Sequence, residues 1–238
     1  MKQTLASRLI VHVEGETEET FVKEVLSSHL EMRFGWSTVS ARLMGNARRR
    51  DHRGGVKPWS TVQAEIAKNL RQDHGLVVTM MVDYYAMPRT GPRAWPGRED
   101  ASALSYPENA KIIERRLSGS IQKEMRPKFN QTRFVPYVMM HEFEALLFSD
   151  CIAFGRGIGH PDLSENLQQI RESFTNPEEI DDSPEGAPSK RVERLVPGYE
   201  KPLLGNLAAL EIGLEAMRRE CPLFDNWLRR LESRTAQP

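Results

Sequence analysis

The sequence is poor in cysteine, has no excess of either charge and contains no long apolar run. Each absence removes a class of function. Its two cysteines, Cys151 and Cys221, lack metal-type spacing and are too few for a disulfide framework, so both read as reduced and structural. Lys+Arg 33 balances Asp+Glu 33, so no global basic field draws the chain to nucleic acid, and any such contact must come from a local patch. No apolar stretch reaches the length of a membrane span and no signal-peptide pattern is present, which gives the expectation of a cytoplasmic protein with no membrane partner. Nothing matches a Walker A loop, so nucleotide hydrolysis by that mechanism is not expected. There is no internal repeat. The 238 residues suit one large α/β domain or a domain with an appendage, and nothing in them fixes an oligomeric state.

What is present is organised around residues 9–22. The apolar run 9–13 reads as a buried parallel strand, Gly15 breaks it, and Phe21, Val22, Val25, Leu26 and Leu30 follow at helical spacing behind Thr17 as N-cap. Glu14 ends the strand, at the rim where ligands of open α/β sheets collect. Glu18, in the first helical turn, shares the inward side of Phe21 and Val22. Two carboxylates held this way can bind a hard divalent cation through oxygen. The plain alternative for Glu18 is that the helix dipole alone favours an acid there.

The same arrangement recurs downstream. Residues 37–44 read as a second strand, running into a Gly-containing basic loop with Arg48, Arg49, Arg50, Arg53 and Lys57, whose forked cations suit phosphate. A solvated connection is the alternative. After a helix through Val62, Ile66 and Leu70, the apolar run 76–82 reads as a central strand ending in Asp83-Tyr84-Tyr85. Residues 86–106 form a Pro-, Gly- and Arg-rich loop. In it Arg89, Arg93 and Trp95 could hold a phosphate and stack a base, or Trp95 could pin the loop to the core. A further helix runs from Pro107. Residues 133–140 read as another strand, followed by His141, Glu142 and Glu144 and a short helix. Two acids at that spacing cannot both point the same way on one regular element, so one is expected to act and the other to be structural. A structural His141 is favoured over a ligand or base. Residues 176–189 read as a surface segment ending in Lys190 and Arg191, which could reach a phosphate. Residues 155–238 then form a helical extension on a core spanning 1–154, with helices marked by Leu207, Leu210, Leu214 and Met217 and by Leu223, Phe224, Trp227 and Leu231.

The runs Val13-Glu-Gly-Glu-Thr-Glu-Glu-Thr-Phe-Val22, Met81-Val-Asp-Tyr-Tyr85, Met140-His-Glu-Phe-Glu-Ala-Leu-Leu-Phe148, Pro188-Ser-Lys-Arg191 and Cys221-Pro-Leu-Phe-Asp-Asn-Trp-Leu228 resemble the DUF4276 family over nearly the whole chain. That family is similar to the TOPRIM domains of topoisomerases, primases and overcoming-lysogenization-defect (OLD) nucleases. The resemblance implies a Rossmann-like fold, mostly parallel and flanked by helices, with a strand-end Glu and a downstream acidic pair binding Mg²⁺. Glu14 matches the first position and Asp83 the start of the second. Tyr85 stands where TOPRIM proteins carry a second Asp, a departure from the two-metal pattern unless Glu18, Glu142 or Glu144 substitutes. The expected metal set is Glu14, Asp83 and one of Glu142 or Glu144, with Mg²⁺ or Mn²⁺ as cofactor. The implied activity is a metal-dependent phosphodiesterase, a nuclease of an anti-phage system working beside an ATPase on DNA or RNA. The alternative is a TOPRIM-like subunit that binds an ATPase or nucleic acid without cutting.

Overall fold

The computed structural model describes residues 7–44, 56–125, 127–180 and 186–234. Four short strands form one all-parallel sheet: β1 (Arg8–Val13), β2 (Thr38–Leu43), β3 (Leu76–Asp83) and β4 (Phe134–Met139), in the order β2-β1-β3-β4. β3 and β4 are buried almost along their length, which is why they read as continuous apolar runs. The edge strand β2 instead alternates exposed with buried or half-buried residues. The fold is α/β and Rossmann-like, as expected.

The connections are helical. The first crossover is α1 (Glu16–Phe21), a π-helical turn (Val22–Leu26) and α2 (Ser27–Phe34), closed by Gly35 at φ 70°. α3 (Trp59–Gln72) returns the chain across β1 to β3, and α4 (Glu108–Met125) leads to β4. The chain therefore leaves β1 on one side and comes back to β3 on the other. The strand order reverses between β1 and β3, and that reversal opens a crevice at the carboxyl ends of those two strands.

The remaining helices are α5 (Glu144–Leu147), α6 (Cys151–Gly157), α7 (Ser164–Glu172), α8 (Pro188–Leu195), α9 (Asn206–Glu220) and α10 (Pro222–Glu232). They form the C-terminal helical cap. α6 and α9 approach so closely that a Cβ on Gly157 would lie 2.4 Å from Ala208 Cα. The cap reaches α1 through Asn206, whose side-chain amide donates to the Thr17 carbonyl at 3.1 Å. α10 packs on the sheet itself. Trp227 stacks on Tyr137 with centroids 4.8 Å apart, and its Nε1 donates to Thr79 Oγ1 at 2.8 Å. That hydroxyl in turn donates to the Val135 carbonyl.

One expectation needs correction and one alternative is decided. The stretch 176–189 is not all surface: Pro177, Glu178 and Ile180 are buried, because Glu178 accepts the backbone N–H groups of Leu223 and Phe224 at the start of α10 (2.8 and 3.0 Å) and the Tyr106 hydroxyl (2.9 Å). Of the two readings of Trp95, the structure bears out the one that pins the loop to the core. Trp95 is 2% exposed, packs on Trp59 and donates to the Lys57 carbonyl at 3.0 Å.

Candidate metal centre

The crevice between β1 and β3 is lined by acids. Glu14 follows the last residue of β1 and Asp83 is the last of β3, so the two strand ends present them on either side of the switch point. Glu18 is held by its own turn: its Oε2 accepts the Gly15 N–H at 2.9 Å. The absent side chain at residue 15 matters, since a Cβ there would sit 3.3 Å from that oxygen. Glu18 thus caps α1 and is also buried beside the other carboxylates.

Glu142 and Glu144 both reach the centre, contrary to the expectation that only one would. Lys201 Nζ lies 3.2 Å from Glu144 Oε2 and 3.7 Å from Glu142 Oε2. Residues two apart diverge on a helix but share a face on extended backbone, and here the two acids lie on no single regular element: Glu142 precedes α5 and Glu144 begins it. Just before them His141 stands at φ 66° as the one non-glycine residue with positive φ among the described residues, so the chain bends where the two carboxylates emerge. The Ser189 N–H, in the first turn of α8, also donates to Glu142 Oε2 at 3.0 Å.

Burial and crowding raise these acids. Glu14 is pushed up to about 7, first by burial and then by the Glu18 charge, with Lys201 opposing. Glu144 also rises to about 7, again by burial against Lys201. Asp83 is held well above the ordinary carboxylate range by burial and then by Glu18, Glu14, Glu144 and Glu142, and Glu18 is raised chiefly by burial. Burial works against the Lys201 ammonium, but Glu144 and Glu142 outweigh it and raise its pKa.

Three carboxylate oxygens in this rim, Glu14 Oε2, Asp83 Oδ1 and Glu144 Oε1, are buried without a hydrogen-bond partner. Buried anionic oxygens without donors are costly, and a hard cation with oxygen preference is the group whose chemistry fits them. The rim is not a finished cage: among the described residues no three His, Cys, Asp or Glu side chains are already grouped to hold a metal ion.

Sequence reasoning missed Lys201 and Tyr199. Both lie far along the chain in the cap, in a stretch without periodicity or motif. The Tyr199 hydroxyl is buried without a partner, and its pKa is raised by burial and then by Glu144 and Glu142.

The expected phosphate contacts are more dispersed. Arg48, Arg49, Arg50 and Arg53 lie outside the described residues. Lys57 pairs with Glu65 at 3.3 Å. Lys190 is engaged by Glu193 at 2.6 Å, while Arg191 donates to the Gly186 carbonyl at 2.6 Å and lies over the Phe174 ring. What this segment gives the acids is the Ser189 backbone. A cavity of about 490 Å³ adjoins Glu14, walled by Val56, Ala86, Pro88, Thr90 and Arg93.

The family profile described as "Domain of unknown function (DUF4276)" matches residues 13–232. No curated protein matches the chain. Two solved structures are similar over 98% of this chain, both of the C-terminal region of the OLD protein of Xanthomonas campestris pv. campestris. The iodine-phased structure is 12% identical with a TM-score of 0.46 and 97% of its own chain covered. The mercury-phased one is 14% identical with a TM-score of 0.43 and 98% covered.

Proposed function

The chain belongs to the DUF4276 family, and from that premise together with its acidic crevice we propose that it is a Mg²⁺- or Mn²⁺-dependent phosphodiesterase acting on nucleic acid. The observation that carries this reading is the set of partnerless buried oxygens on Glu14 and Asp83, at the ends of β1 and β3, and on Glu144, at the start of α5. Glu14, Asp83 and Glu144 would hold the cation, with Glu142 beside them and Glu18 fixing the turn. A bound divalent cation would supply positive charge against a phosphate and make an attacking water more acidic.

The chain's own groups do the rest. Lys201 neutralises Glu142 and Glu144 and offers an ammonium to a phosphate oxygen once a cation takes over those acids. Arg93, on the wall of the cavity beside Glu14, and the basic run Arg48, Arg49, Arg50 and Arg53, joined in sequence through Gly54 and Gly55 to Val56 of that wall, take the backbone phosphates. The TOPRIM resemblance adds an ATPase as working partner and a role in anti-phage defence. One observation favours the non-catalytic reading, in which the same surface binds without cutting: Tyr85 occupies the position of a second acid.

Cleavage of single-stranded and duplex DNA and of RNA, with Mg²⁺ or Mn²⁺ and with or without the ATPase partner, decides between them. Wild type should cut in a divalent-dependent manner, and Asp83→Asn should lower the rate about a hundredfold or more, as expected when a charge-stabilising group is removed. No cleavage under any divalent condition would leave the binding subunit standing. Wild-type cleavage by Asp83→Asn would move the site elsewhere.

A further inference from the structure

The bend that brings Glu142 and Glu144 together is energetically unfavourable on its own. A left-handed backbone suits glycine and is unfavourable for His141 at φ 66°. Glycine would remove that cost, so the imidazole must contribute something. Its Nδ1 shares a hydrogen bond with the Tyr85 hydroxyl. The two rings also stack, with centroids 5.3 Å apart and planes 29° off parallel. Tyr84 meets both rings edge-on, at 5.8 and 6.5 Å. Tyr84 is itself fixed three ways. Its N–H donates to the Met139 carbonyl at 3.0 Å, its carbonyl accepts Arg98 Nε at 3.0 Å, and the Arg98 guanidinium lies 3.7 Å over its ring. The ends of β3 and β4 are therefore clasped by aromatic rings at the place where the acids emerge.

We propose that Tyr85 is a positioning residue: through its hydrogen bond and stack it holds His141 in the left-handed turn, and so aims Glu142 and Glu144 at the cation. This rests on the metal reading above. It also gives the aromatic at position 85 a task in place of the missing acid: it orients carboxylates supplied by the neighbouring strand end.

Two readouts test it, one with metal and one without. In calorimetric titration with Mn²⁺, Tyr85→Phe should bind about ten- to a hundredfold more weakly than wild type, the usual effect of removing an outer-shell support. At position 141 the ranking should follow backbone preference. Asn and Gly, which tolerate positive φ, should keep affinity within a few fold, and His141→Val should lose as much as Tyr85→Phe. In the His141→Gly background, Tyr85→Phe should cost little more. The metal-free readout is hydrogen exchange at the Ser189 amide, which donates to Glu142. Tyr85→Phe should speed it about tenfold while amides of the β1–β3 ladder stay protected. Unchanged Ser189 exchange overturns the proposal whatever the metal does, and so does a His141→Asn protein that binds Mn²⁺ no better than His141→Val. If wild type binds no Mn²⁺ yet Tyr85→Phe still loosens Ser189, the metal reading falls and the positioning role stands.

Discussion

Glu14 and Asp83 were legible as single residues because an acid ending a buried apolar strand has no packing reason to be there. Lys201 was not legible: it comes from the far end of the chain, and only the folded cap brings its ammonium to Glu142 and Glu144. The meeting of Glu142 and Glu144 at one ammonium was hidden for an equally local reason: they lie between a left-handed residue and the start of α5, on no single regular element. Glu14→Gln tests the centre at this scale. Removing one of several mutually repelling carboxylates should raise the melting temperature of the cation-free protein at pH 8. It should also abolish the rise that Mn²⁺ or Mg²⁺ is expected to give wild type by binding only the folded state. A metal-induced rise that survives in the variant would take Glu14 out of the site.

Among the elements, β1, β3 and β4 announced themselves as apolar runs closed by turn residues. The helices around them followed from their periodic apolar faces. The order β2-β1-β3-β4 did not, because pairing is set by how crossovers pack and not by any one strand's composition. The place of α10 was also hidden. Its apolar face was plain, yet only the fold shows that it lies on the sheet, with Trp227 donating to Thr79 and Glu178 holding its first turn. Thr79→Val keeps the volume and removes the acceptor, leaving the Trp227 N–H buried and unpaired. Chemical denaturation should show a loss of about 1–3 kcal/mol with an unchanged m-value. A neutral result would mean that stacking on Tyr137 alone seats the helix.

For the molecule as a whole, the buried acids set the response to pH. Glu14, Glu144, Glu114 and Glu178 all stand at about 7, each raised first by burial from an ordinary value near 4.5. A folded pKa above the unfolded one means stability that is complete below about pH 4.5 and is lost as pH rises through 7, on the order of a few kcal/mol per group. His12 runs the other way. It is lowered to about 3 by burial and then by Arg42 and Lys57, so its contribution is complete above pH 6.5 and fades as pH falls toward 3. Between pH 6.5 and 8 the carboxylates act almost alone. The melting temperature of cation-free protein should therefore drop across that interval, and on the proposed metal reading Mg²⁺ or Mn²⁺ should flatten the drop by binding the ionised acids. A melting temperature that climbs from pH 6.5 to 8 without cations would contradict the burial of these groups.

The crevice draws on residues 14, 18, 83, 142, 144 and 201, and β1 finds β3 only after β2 and α3 have been made. During synthesis from the amino end, most of the chain has to leave the ribosome before the acids can meet Lys201, and contacts this far apart in sequence form slowly. The assembled crevice is therefore withheld from the nascent polypeptide. It arises only when the segment carrying Lys201 has been released and docked, so translation itself sets the earliest moment at which the acids and their ammonium can share one crevice.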